Sequence, residues 1–383
     1  MIAAQGKPGQ AAKEVRLEEI FEQTILHFLD PVGQFLRDPT VTEVMINGPQ
    51  EVYIERRGRL ELTDAKFPSE SSLVAAVRNV LQYVGKRLTL EHPMMDGRLP
   101  DGSRIHAAMP PCSRRGVVVT IRKFSREAFE MDFLVRTRCV TPLARDFFQL
   151  CIDTEKNLLI SGGTSSGKTS LLNVLSEFIQ ADRRIVVIEE SSELQLRQPH
   201  VLGLEARAAD RYGRGEVTIR DLFKNSLRMR PDRVIVGECR GGEALDMIQA
   251  MTSGHAGSMT TLHADSPVDA LHRLETMALM SNVAIPLSAL RAQVASAIHV
   301  IIQMMRFADG SRRVVQISQV LALDAAGRYQ VEDLFVLRMP EGERELAKAE
   351  LQWTGAKIAF RNEVAVQAEI RNLPSMEPLA SDK

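Results

Sequence analysis

The chain has 383 residues, enough for two domains and a large core, with 44% hydrophobic and 25% charged residues and a net charge of −1. That balance is an ordinary soluble composition and excludes the strongly basic character of a protein that coats nucleic acid. The four cysteines, Cys112, Cys139, Cys151 and Cys239, show no C-x-x-C spacing, which excludes a zinc knuckle of the usual type and points to a reduced, cytosolic compartment.

Residues 1–15, rich in Gly, Ala, Lys and Gln, are expected to be mobile. The polar start has no apolar core and no apolar run approaches ~18 residues, so neither a signal peptide nor a membrane span is expected. Leu17, Ile20, Phe21, Ile25, Phe28 and Leu29 recur at helical spacing, which Pro31 ends. Residues 41–47 and 51–62 read as strands, with turns at Gly48-Pro49 and Gly58. Leu73, Val77, Val80, Leu81 and Val84 line one helix face, and 103–108 and 116–124 read as two further strands. An N-terminal α/β domain is therefore expected over 16–125, followed by a linker over 126–140 that mixes charges with few apolar residues. Thr141-Pro142 is a helix start, cap then proline. From there strands at 157–161, 184–189, 233–237 and 257–262 alternate with helices at 168–180, 218–228 and 242–252, the pattern of a parallel sheet wrapped by helices. This second domain is expected over 141–361, with a tail at 362–383.

Gly162, Gly163, Thr164, Ser165, Ser166, Gly167, Lys168 and Thr169 complete the pattern G-x-x-x-x-G-K-[ST]. An apolar run ending at Ser161 precedes it and Ser170 to Leu175 continues it as a helix, the strand–loop–helix setting of a phosphate-binding loop. Glycines let backbone N–H groups close around phosphate oxygens, and the helix N-terminus adds partial positive charge. Lys168 can reach the β- and γ-phosphates and the Thr169 hydroxyl can bind Mg²⁺. Glu238 ends the apolar run Val234-Ile235-Val236, at the strand end where parallel sheets bind ligands. It can hold the Mg²⁺ shell or orient the attacking water; the alternative is a surface cap on the next helix. Glu189 and Glu190 end another apolar run and can add to metal and water, or simply begin a solvated helix. His255 and His263 bracket the strand 257–262 and can contact phosphate or merely pack.

Residues 227–240, Leu-Arg-Met-Arg-Pro-Asp-Arg-Val-Ile-Val-Gly-Glu-Cys-Arg, resemble the extended Walker B segment of the secretion ATPases, the superfamily that drives type II secretion, type IV pili and type IV secretion. Residues 253–264 resemble its histidine box. Residues 189–194 resemble its aspartate box, with Glu190 where an aspartate is usual. The runs 42–49, 98–104, 120–124 and 264–277 are most similar to the Tad (Flp) pilus motor ATPases, and the similarity extends over about 16–361. His106 stands where asparagine is common, and the cysteine motif of type II secretion and pilus-extension motors is absent.

The resemblance implies an α/β fold: an N-terminal α/β (PAS-like) domain followed by a RecA-like P-loop ATPase domain with a mainly parallel sheet. It implies a homo-hexamer that hydrolyses Mg-ATP, with ATP between the two domains. Arg104 and Arg122, by that resemblance, approach the γ-phosphate. Glu238, Glu189, Glu190, His255, His263 and Arg240 are the other implied catalytic groups; Gly162 to Ser170 hold nucleotide, and Thr169, Glu189 and Glu238 hold the metal. The implied role is a cytoplasmic motor for Tad pilus assembly or retraction. It works through a polytopic inner-membrane pilus platform protein, peripheral at that membrane, without direct nucleic-acid contact. Three alternatives stay open: a type IV secretion traffic ATPase, a nucleotide-gated switch with negligible turnover, and a RecA-like helicase. The balanced charge and the lack of a basic, aromatic-rich strand weigh against the last.

Overall fold

The structure, a computed structural model, describes residues 24–124, 129–209, 212–339 and 345–373. The segment 1–15 and the expected helical residues Leu17, Ile20 and Phe21 lie outside the described residues. The chain divides after Glu127 into two compact units.

In the N-terminal unit a helical stretch at 24–28 stops at Leu29, and Pro31 opens a new helix, α1 (Asp30–Arg37). Proline is tolerated there because a first-turn N–H has no intrahelical partner to lose. Six strands follow, β1 (Val41–Asn47), β2 (Val52–Arg56), β3 (Arg59–Leu62), β4 (Met94–Arg98), β5 (Arg104–Ala108) and β6 (Val118–Arg122), in the order β3-β2-β1-β6-β5-β4. Every pair is antiparallel. The single strand expected over 51–62 is two, because Arg57 and Gly58 both take positive φ, 49° and 76°, and form a two-residue hairpin. β4 had no sequence signal: Met-Met-Asp-Gly-Arg neither alternates nor favours strand. Helix α2 (Glu70–Tyr83) is capped by the Ser69 hydroxyl, which accepts from the Ser72 N–H at 3.1 Å. It buries Leu73, Val77, Val80 and Leu81 against Val44, Ile46, Ile105, Ala107, Val119 and Ile121. Strand alternation therefore sends Arg104 and Arg122 to the other face.

The second unit is built on a nine-stranded sheet of β7 (Leu158–Gly162), β8 (Ile185–Glu189), β9 (Val201–Glu205), β10 (Arg233–Val236), β11 (Met259–Leu262), β12 (Val300–Arg306), β13 (Arg312–Leu321), β14 (Gln330–Arg338) and β15 (Glu350–Trp353). The order is β15-β14-β13-β12-β7-β11-β10-β8-β9. From β12 to β9 all pairs are parallel; β13, β14 and β15 extend the sheet antiparallel. The central runs are apolar without alternation because both faces are covered. Leu158, Ile160, Ile185 and Val187 face one core, with Phe147, Phe148 and Leu150 of α4 (Pro142–Asp153) and Leu171, Leu172 and Leu175 of α5 (Lys168–Ser176). Leu159, Val186 and Ile188 face the other, with Phe223 of α6 (Ile219–Ser226), Ile248 of α7 (Glu243–Thr252), Leu274 of α8 (Pro267–Leu279) and Leu290 of α9 (Leu287–Ala297).

Two stretches read only as a linker and a tail carry helices among their described residues. Within 126–140, helix α3 (Met131–Arg136) buries Met131 and Leu134, a pair too short to register as periodicity. Within 362–383, helix α10 (Arg361–Arg371) buries Val364 and Ala368 and is pinned by ion pairs Lys156–Glu363 and Arg371–Asp153. Residues 374–383 lie outside the described ones.

Candidate active site

The glycine-rich loop joins β7 to α5. Gly162 takes φ 152°, and a Cβ there would collide with the Met304 carbonyl of β12; Gly167, at φ 95°, turns the chain into α5. Inside the loop the Ser166 hydroxyl donates to the Gly163 carbonyl at 2.8 Å. Lys168 is buried, and its ammonium donates to the carbonyls of Gly162 (3.0 Å) and Gly163 (2.9 Å) and to His263 Nδ1 (3.2 Å). Gly163 and Thr164 are exposed; Thr169 and Ser170 are half-buried in the first turn of α5. The arrangement is a cationic cradle, with the lysine resting on the carbonyls beside which phosphate oxygens would enter.

The segment after β10 is held from both sides. Gly237 N–H donates to Ile188 O (2.9 Å), Cys239 N–H to Thr261 O (2.8 Å), and the Thr261 hydroxyl to Gly237 O (2.8 Å). Glu238 is thereby presented at the C-terminal end of the parallel sheet. Its Oε1 lies 3.0 Å from His263 Nε2 and its Oε2 accepts from Arg240 at 2.7 Å. Arg240 also bonds Glu190, and its own backbone N–H is fixed by Glu243 at 2.7 Å. Lys168, His263, Glu238, Arg240 and Glu190 thus form one connected run. Lys168 can only donate to Nδ1, so the His263 proton sits on Nε2, facing Glu238. Burial, then the Lys168 charge, lowers the His263 pKa, which keeps the ring neutral. Glu238, Arg240 and His263 line a cavity of about 300 Å³ with Cys239, Arg273 and Met277.

Glu189 and His255 stand outside that hydrogen-bonded run, although Glu189 is packed beside it. Glu189 is 6% exposed, and its Oε1 accepts the N–H groups of Glu193 (2.8 Å) and Leu194 (3.0 Å). It packs under Gly237, where a Cβ would sit 3.0 Å from its Cγ. Burial pushes its carboxyl up to about 7. His255 precedes β11 whereas His263 follows it, so the strand carries the two rings to opposite ends of the sheet. His255 Nδ1 is buried without a hydrogen-bond partner among the described residues. Its neighbour Gly257 takes φ 76°, and a Cβ there would lie 2.7 Å from Nε of Arg233, a guanidinium 2% exposed and paired with Glu155 at 3.0 Å. That half of the histidine-containing segment accommodates a buried arginine.

Arg104 and Arg122 belong to the N-terminal unit. They are cross-strand partners, and Arg98 stands opposite Arg104 in turn. On its other side Arg122 stands opposite Glu43 of β1, so the row carries an acid beside its arginines. Sequence reasoning had not singled out Arg98, Arg312 or Gln303. Arg312, 147 residues along the chain, donates from Nε to the Ser165 carbonyl at 2.9 Å, and its Cδ would lie 3.3 Å from a Cβ on Gly167. Only the β12–β13 hairpin brings it to the loop, and no local motif marks it.

The family described as Type II/IV secretion system protein matches residues 27–348. TrbB, a conjugal transfer protein of Rhizobium radiobacter, is 31% identical over 282 residues, 72% of this chain and 83% of TrbB. PtlH, a type IV secretion system protein of Bordetella pertussis, is 32% identical over 318 residues, 75% of this chain and 92% of PtlH. The X-ray structure of the ATPase DotB from Legionella pneumophila superposes with a TM-score of 0.56 at 19% identity, over 75% of this chain and 79% of that one. This last likeness is one of fold. It agrees with the expected class, an N-terminal α/β domain followed by a RecA-like domain with a mainly parallel sheet.

Proposed function

The chain belongs to the type II/IV secretion system protein family, and on that premise we propose that it is an ATP-hydrolysing motor of a secretion or pilus machine. The observation that carries this is the run from Lys168 through His263 to Glu238 beside the glycine-rich loop. Loop N–H groups and Lys168 take the phosphates. Glu238 orients the attacking water and accepts its proton as oxygen bonds to the γ-phosphorus and the bond to the β-phosphate oxygen breaks. His263, neutral and hydrogen-bonded to both Lys168 and Glu238, keeps those two groups in register. Arg240 holds the second Glu238 oxygen.

Among the described residues no group of three or more His, Cys, Asp or Glu stands ready to hold a metal. The Thr169 hydroxyl and the Glu238 carboxylate are oxygen donors of the kind magnesium takes and would hold it beside the phosphates. Bound there, the ion neutralises charge on the phosphates. Glu189, engaged with the 193–194 backbone, is left a structural role. Arg104 and Arg122, cross-strand neighbours in the N-terminal unit, are assigned to neutralising charge on the γ-phosphate in a homo-hexamer.

In its finer form the proposal is a Tad pilus motor, cytoplasmic and peripheral at the inner membrane through a polytopic platform protein. The conjugal transfer and type IV secretion names of TrbB and PtlH favour a second reading, a type IV secretion traffic ATPase, at least as well. The test uses Glu238→Gln, which should keep nucleotide binding and lose about 10²–10⁴ in kcat. Wild-type turnover in that variant removes Glu238 from the chemistry. Wild-type protein no faster than Lys168→Ala leaves only a nucleotide-gated switch. Immobilised with ATP and exposed to solubilised inner membrane, the same variant should retain a pilus platform protein; conjugation-channel components in its place select the second reading.

A further inference from the structure

Gln303 lies on β12, 3% exposed, in register with Ser161 of β7. Its carboxamide makes two bonds. The oxygen accepts from the Ser161 hydroxyl, and Nε2 donates to the Ala264 carbonyl at 3.0 Å. The Ala264 carbonyl can only accept, which fixes the amide orientation. Ala264 follows His263 directly, and the β7–β11 ladder ends one residue earlier, at the pair Leu262–Ser161. Where backbone pairing stops, the Gln303 amide takes over, so one side chain joins β12, β7 and the chain leaving β11.

We propose that Gln303 is a positioning residue that sets His263 against Lys168 and Glu238 by holding the Ala264 peptide. The role rests on the site being an ATPase, as argued above. Without this bond the backbone carrying His263 is free to drift by a fraction of an ångström or more. The loop and Lys168 are held by other contacts, so nucleotide binding is left largely intact while the hydrolytic geometry is lost.

Gln303→Glu separates this role from general support of the core. The glutamate is the same shape, and one oxygen still accepts from Ser161. The other turns a lone pair on the Ala264 carbonyl unless it carries a proton, and only then can it donate. Steady-state kinetics of wild type, Gln303→Glu, Gln303→Met and Ser161→Ala across about pH 6 to 8.5, with Tm for each, provide the test. At the upper pH, Gln303→Glu should lose about 100-fold in kcat, the scale of an ångström misplacement, with KM for ATP little changed. The ratio of this variant to wild type should climb as pH falls, because a buried carboxyl titrates above its usual range. Gln303→Met, which fills the same volume without donating, should stay low at every pH. Ser161→Ala keeps the Ala264 bond and should lose far less than either. A pH-flat ratio for Gln303→Glu, or a KM rise that tracks lost Tm in both Gln303 variants, overturns the role. Wild-type protein without turnover fails in a different way and removes the ATPase reading itself.

Discussion

Glu189→Gln keeps the acceptor used by the Glu193 and Leu194 N–H groups, at 2.8 and 3.0 Å, and removes only the charge. In the wild type burial moves this carboxyl from 4.5 to about 7. The folded protein therefore holds the proton more tightly than the unfolded chain does. Stability contributed by the protonated form is full below 4.5 and is lost as pH rises through about 7. For one acid with those two pKa values, the loss between about pH 5.5 and about pH 8.5 comes to about 2 kcal/mol. Glutamine does not titrate, so its advantage over wild type should grow by that amount across the window, or about 4–8 °C in Tm for a domain of this size. Scanning calorimetry of both proteins at both pH values measures it, and taking the difference cancels every titration the two share. An advantage that is constant with pH, or shrinks as pH rises, refutes the desolvated carboxylate. Turnover of the same variant separates the structural placement of Glu189 from a metal or catalytic role. Retained kcat is expected, and loss of hydrolysis with binding intact would restore the catalytic assignment.

Gly257→Ala should destabilise the protein by about 2–5 kcal/mol in denaturant titration. Positive φ opposes any Cβ there, and the Arg233 guanidinium, locked in the core, cannot yield to it. His263→Ala should lower kcat by about 100-fold, whereas His255→Ala, at the far end of β11, should hydrolyse ATP at close to the wild-type rate. Equal losses in the two variants would contradict the placement of His263 alone beside Lys168 and Glu238. Arg312→Ala removes a charged donor from the Ser165 carbonyl and should weaken binding of a fluorescent ATP analogue about tenfold, for a bond of roughly 1.5 kcal/mol. An unchanged Kd would show that the loop holds its shape without it.

Local chemistry was legible in the chain. The glycine-rich loop, the proline at the start of α4 and the double-sided burial of β7, β8 and β10 follow from neighbouring residues: glycine φ, a missing N–H, apolar runs without alternation. Where few residues are buried, the local pattern does not announce the element. Helices α3 and α10 bury only two residues each, and β4 has no strand-favouring residue pattern, so their order comes from what packs on them.

The amino-acid sequence by itself determined that a strand, a phosphate-type loop and a helix follow one another, and that an acid closes another buried strand. Tertiary structure alone decided which distant groups meet. The pattern of a buried strand is the same whichever strand lies beside it, so it carries no information on neighbours. It took the order β12-β7-β11-β10 to set His263 between Lys168 and Glu238. The same order brings Gln303 and Arg312, 142 and 147 residues from Ser161 and Ser165, to brace a site that their own neighbours in the chain do not announce.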